Sequence, residues 1–193
     1  MIDCIIADAI TAIIFTFNSS PVLFTFILFI SVVFYYYLST YLHEIAHAKS
    51  IIKYSKELKS FNEPLWVESK FTHWFPVGGN TNSNFLDYLE LNINESNCQT
   101  YIKAIAISGI ISEFRLFIIL FMSLCIIYKV SYLHILSGLF VALLIIILFL
   151  FGIHLLEFFK ESSDFKIFKE PSQYTNTLNN STAYVFYKYT KSL

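Results

Sequence analysis

Uncharged apolar positions fill this chain in long runs, not in the short alternations of a soluble domain. Residues 9–42 contain no Asp, Glu, Lys or Arg. Inside that run, Asn18-Ser19-Ser20-Pro21 is a turn signal at which one helix stops and another starts. Residues 22–42, rich in Phe, Ile, Val and Tyr, are long enough as a helix to cross a hydrocarbon core of about 30 Å. Residues 2–17 form a shorter apolar stretch with Asp3 and Asp8 in it. That N-terminal segment, 1–19, is expected to span at a tilt, to re-enter, or to lie at the interface. A cleaved leader is not expected, because acids stand where a basic region would be.

From Lys49 to about Gln99 the pattern changes. Charged residues, Asn, Ser and Gly accumulate, and residues 65–75 alternate as two short strands would, before the turn Pro76-Val77-Gly78-Gly79-Asn80. A second span is predicted over residues 102–128, interrupted by Glu113 and Arg115. A third covers residues 132–159, of which 135–153 carry no charge. The short link Lys129-Val130-Ser131 makes these two an antiparallel hairpin, and residues 160–193 form a polar tail. The expected fold is therefore mainly α: a polytopic membrane protein with three to four transmembrane helices. A small strand-containing loop region, 49–100, follows the first long helix, and residues 1–193 form one membrane-embedded domain.

Composition sharpens this picture. The chain is 56% hydrophobic, 19% aromatic and 14% charged, against about 25% charged in ordinary soluble domains. Disorder is excluded, and a net charge of −1 gives no footprint for nucleic acid. The expected surroundings are the lipid bilayer. Cys4, Cys98 and Cys125 are odd in number and widely spaced, which fits neither a disulfide framework nor a metal cluster. Lysines set the orientation: Lys49, Lys53, Lys56, Lys59 and Lys70 lie after the first long span, and Lys160, Lys166, Lys169, Lys188 and Lys191 lie in the tail. The hairpin tip has only Lys129. Loop and tail are expected on one face, the cytoplasmic one.

The chemistry-bearing motif is His43-Glu44-Ile45-Ala46-His47, at the end of the first long span. On a helix, positions i and i+4 share a face, so both imidazoles can bind one Zn²⁺. Glu44 sits beside the metal and not on it, where it can take a proton from a water whose pKa zinc lowers to about 7. The pattern arises by chance in roughly one chain in a hundred of this composition. The bland alternative is a polar helix end meeting water, but two His and a Glu at membrane depth are costly without partners.

The chain here resembles the site-2 protease (M50) family of intramembrane zinc metallopeptidases. The resemblance rests on His43-Glu44-Ile45-Ala46-His47, on Phe75-Pro76-Val77-Gly78-Gly79, and on Ser162-Ser163-Asp164, and it covers roughly residues 21 to 168. It implies a helical core with zinc held by His43, His47 and Asp164, and cleavage of membrane-embedded or membrane-adjacent peptide bonds. The family has Gly after that Asp, where Phe165 stands here, and an Asn and a Pro ahead of it that this chain lacks.

Other residues compete for the third ligand. Two spans separate His47 from the tail, so the last helix exits at the His43/His47 end and brings Asp164 near. Glu113 is a rival, or else hydrogen-bonds a ligand His, or snorkels to the interface. It and Arg115, two apart, face different sides of a helix. His154 is the other rival, with a satisfied core histidine as its bland reading, while His134 lies at the wrong end of its span. His73 is expected to be exposed, and Tyr35-Tyr36-Tyr37 and Tyr41 to form an interfacial belt. Gly78 and Gly79 would let a substrate backbone approach a strand edge closely; an ordinary surface hairpin is the alternative. Two functions follow. One is a zinc endopeptidase with Glu44 as general base. The other is an inactive membrane protein that keeps the metal site as a binding or immunity-type module. Too few His are present for a diiron enzyme, and no inverted repeat suggests a transporter.

Overall fold

The computed structural model describes residues 2–58, 62–68, 79–91, 95–130, 134–160 and 163–170. Among them the chain is mainly helical, and three helices are long and apolar enough to cross a membrane. Helix α1 (Ile2–Ser19) and helix α2 (Pro21–Lys53) meet at the expected turn. Pro21 has no N–H to give to the preceding turn but fits the first position of a new helix. Its neighbours keep their bonds: Ser20 N–H donates to Thr16 O and Phe24 N–H to Ser20 O.

Helix α2 runs on past residue 42 to Lys53, so the H-E-x-x-H motif lies within a continuous helix of 33 residues and not at its terminus. At 1.5 Å per residue that is about 50 Å, well beyond the thickness of a hydrocarbon core. Helix α3 (Glu95–Val130) and helix α4 (His134–Lys160) contain the other two apolar spans, Gln99–Ile126 and Gly138–Leu156. Helix α1 contributes only a shorter apolar stretch, Ile10–Ser19.

Between α2 and α3 the backbone makes two short antiparallel pairs. Strand β1 (Ser55–Leu58) pairs with β4 (Leu89–Leu91), and β2 (Trp66–Glu68) with β3 (Gly79–Thr81). Strand β2 covers residues 66–68 of the alternating stretch, and Gly79 pairs with Glu68. Asn82 ends this segment: its N–H donates to Leu65 O and its Oδ1 accepts from Asn84 N–H, starting the 3-10 turn Ser83–Tyr88. Gly78, His73, residues 69–75, Ser162 and the tail beyond Glu170 lie outside the described residues. Helix α5 (Ser163–Lys169) follows α4.

The chain divides into two compact units. The first comprises Met1–Tyr36 and Phe114–Ile153. Its core is Phe24, Leu139 and Ala142, with Ile13, Ile27, Leu28 and Leu143 around it. Gly138 lies so close to α1 that a Cβ there would overlap Ala12 O. Val22, Phe26, Phe29, Ile119, Ile126 and Phe149 remain exposed in this unit. In water such a surface would be a liability; facing acyl chains it is what a spanning unit needs.

The second unit comprises Tyr37–Glu113 and His154–Leu193. Ala48 and Ile51 of α2, Phe85, Leu86 and Leu89 of the loop, Ile102, Ile105 and Ala106 of α3, and Ile167 of α5 form its core. Ile167 anchors helix α5 in this core and Phe168 packs against it, while Lys166 and Lys169 are exposed. The polar cluster described next belongs wholly to this unit.

Candidate metal centre

The helical period of α2 places His43 and His47 one turn apart on one face, with rings 4.7 Å between centroids and steeply inclined. Their Nε2 atoms are 3.0 Å apart. Asp164, in the first turn of α5, points its Oδ2 at both: 3.2 Å from His47 Nε2 and 3.4 Å from His43 Nε2. Asp164 and His47 are buried, and His43 is half-buried. The structure thus brings together the three residues that the sequence nominates as ligands, and they form a group able to hold a metal ion.

Helix α3 sets the direction in which each imidazole offers its lone pair. The His47 Nδ1–H donates to the backbone carbonyl of Ile105 (2.8 Å). Ser108 Oγ donates to the same carbonyl (2.7 Å) and lies 3.2 Å from His47 Nδ1. The His43 Nδ1–H donates to Glu113 Oε1 (2.7 Å). With both Nδ1 positions committed to acceptors, the neutral tautomers carry their lone pairs on Nε2, facing one another and Asp164.

That arrangement can be tested against a metal. Two nitrogen lone pairs and a carboxylate oxygen within 3.4 Å of one another repel unless a cation or protons lie among them. Tetrahedral zinc bonds of about 2.0–2.1 Å set neighbouring donors about 3.3 Å apart. The observed separations of 3.0, 3.2 and 3.4 Å match one face of such a tetrahedron. Charge agrees as well: a dication with two neutral imidazoles and two buried carboxylates, Asp164 and Glu113, leaves no net charge to bury. Burial alone raises the carboxyl of Asp164. The charge of the His47 and His43 imidazoles and their hydrogen bonds outweigh this in the metal-free cluster and hold it well below the usual carboxylate range. The residues fit zinc.

Glu113 is neither a snorkelling surface acid nor one of the three clustered donors. Only 6% exposed, it gives Oε1 to His43 and accepts from His154 Nδ1 on Oε2 (3.2 Å). Arg115, two residues on, is exposed. His154 therefore bonds Glu113 and is likewise outside the ligand group. Glu44 is half-buried on α2, about 100° round the helix from His43. Gly79 belongs to β3. Phe165, which follows Asp164, packs against Phe158 and Phe159 at 5.6 and 5.1 Å between ring centroids.

Three contributors have no counterpart in the sequence reading. Ile105 acts through its carbonyl and Ser108 through a local bond, and neither leaves a sequence signal. Gly109 leaves one: an isolated glycine in an apolar helix, one turn before Glu113. A Cβ on Gly109 would fall 2.5 Å from Cε1 and Nε2 of His43. Ile105, Gly109 and Glu113, spaced four apart, form a stripe on α3 that supplies an acceptor, a space and a second acceptor to the two histidines. No protein-family model, curated protein or solved structure matches the chain.

Proposed function

We propose that the chain is a zinc-dependent endopeptidase of the site-2 protease kind, which cleaves a membrane-embedded or membrane-adjacent polypeptide. The observation that carries this reading is the His43, His47 and Asp164 triangle, oriented from behind by α3, with Glu44 one residue along from the first ligand. Zinc held by His43, His47 and Asp164 would supply a Lewis acid for the scissile carbonyl and for a water, whose pKa it would lower to about 7. The chain's own residues do the rest. His43 and His47 offer Nε2 as ligands while Glu113 and Ile105 hold their tautomers. Asp164 adds one negative charge, leaving the metal electrophilic. Glu44 takes the proton of the attacking water and returns it to the amine nitrogen as the C–N bond breaks.

The setting supports a membrane substrate. The motif lies on a helix with an apolar span, and the lysine-rich loop and tail argue that its end of the span faces the cytoplasm. A helical substrate segment must be drawn out before its carbonyls can be attacked. The β3 edge, Gly79–Thr81, is suited to hold it extended by strand addition, and Gly79 would let the two backbones approach closely.

One feature favours a second reading, a non-proteolytic protein that keeps the metal as a binding or immunity-type module. Phe165 stands where the family pattern has glycine, and it has a packing role against Phe158 and Phe159. Protein reconstituted into liposomes with membrane-anchored reporter peptides separates the two. The protease reading predicts cleavage by wild type and none by a zinc-loaded Glu44→Gln variant. Equal turnover by the two proteins, or zinc-loaded wild type inert on every anchored reporter, contradicts it.

A further inference from the structure

The two histidine ligands are oriented by partners of different stiffness. His47 donates to the carbonyl of Ile105, a backbone atom fixed by the helix that carries it. His43 donates to Glu113, a side-chain carboxylate whose plane turns about its terminal torsion. One bond to Oε1 leaves that rotation open, and with it the tilt of the His43 ring. Oε2 is the place to stop it. There His154, from the end of α4, sets its Nδ1 at 3.2 Å, so the two oxygens of Glu113 are divided between two imidazoles.

We propose that His154 is a positioning residue for the metal centre: by pinning the second oxygen of Glu113 it fixes the orientation of His43. The proposal rests on the metal reading above. His154 neither touches the metal nor reacts. Its contribution is a donor N–H at a set position, with the ring itself secondary. It also ties α4 to α3 at the depth of the ligands, 41 residues away in sequence from its acceptor. A buried carboxylate with one oxygen left without a donor would turn toward another, and a ligand imidazole is the nearest.

The test is zinc affinity, measured by chelator competition on the full-length protein in detergent, alongside the visible spectrum of the cobalt-substituted protein. His154→Phe keeps the bulk and removes the donor; His154→Asn keeps an N–H close to the position of Nδ1. Residues that orient metal ligands alter affinity by about 10–100-fold. The Phe variant is therefore expected to bind zinc about tenfold more weakly with a shifted cobalt spectrum, and the Asn variant to resemble wild type. Because the action runs through Glu113, His154→Phe added to Glu113→Ala should weaken binding no further. His154→Ala replaces the Phe variant if that protein loses its cooperative melt. Wild-type affinity and spectrum in the donor-less variant, an Asn variant as weak as it, or additive losses in the double mutant each overturn the positioning role while leaving the metal site intact. Wild type unable to bind zinc overturns both.

Discussion

Gly109 lies against the imidazole of His43 so closely that a Cβ would fall 2.5 Å from the ring. Real Cβ atoms do not come this near. The close approach is what lets α2 and α3 share the cluster, with the His43 ring reaching Glu113 one turn along α3.

Gly109→Ala is thus expected to displace His43 and lose zinc. Overpacking a filled site costs about 1–3 kcal/mol, so the melting temperature should fall as well. Gly152, another helical glycine, has open space around its Cβ position. Gly152→Ala should leave zinc unchanged and gain up to about 1 kcal/mol in helix propensity. Zinc content and thermal melts of the two variants, read side by side, check this; a Gly109→Ala protein with full zinc would show that the ring has another place to go.

Ile167 holds α5, and with it Asp164. Its side chain is 1% exposed in the second unit's core, one turn from Asp164. Ile167→Ala should cost about 2–5 kcal/mol and weaken zinc binding, because a loosened helix presents its carboxylate less often. Lys166→Ala, at an exposed position of the same helix, should do neither. Chelator competition on both variants measures it, and equal affinities would mean that Asp164 is held by something other than α5 docking.

How far the site could be read in advance depends on whether it follows from local period or from tertiary contact. His43, Glu44 and His47 were legible because a helix of any context brings i and i+4 together. The turn at Pro21 was legible for the same local reason. Asp164 needed span counting and a family resemblance, since nothing within α5 marks it as a candidate ligand. Glu113 stood out as a buried-span charge, but its choice between ligand, orienting group and snorkelling acid depended on which helix lay opposite. Gly109 and the carbonyl of Ile105 escaped altogether: one acts by lacking atoms, the other through an atom every residue has. The span ends were legible only approximately, because α2 continues as one helix to Lys53 beyond its apolar stretch.

Glu44 is proposed as base and not ligand, so Glu44→Gln should retain zinc while cleavage of an anchored reporter falls by about 10²–10⁴. A variant that loses the metal would assign Glu44 to the ligand shell instead.

The lysine distribution argues for a topology that cysteine labelling can test. In a background with Cys4, Cys98 and Cys125 replaced by Ser, cysteines at Lys53 and Lys169 should react from the cytoplasmic side, and one at Lys129 from the other. Labelling of Lys53 and Lys169 from opposite sides would break the three-span arrangement.

The most direct measurement is the metal content of the purified protein after growth with added zinc, compared with His47→Ala, Asp164→Ala and Glu113→Gln. A site built from His43, His47 and Asp164 predicts about one zinc per chain in wild type, near none in the first two variants, and zinc retained with weaker affinity in the third. Metal-free wild type would contradict the account, as would an Asp164→Ala protein with its full zinc beside a Glu113→Gln protein that has lost it.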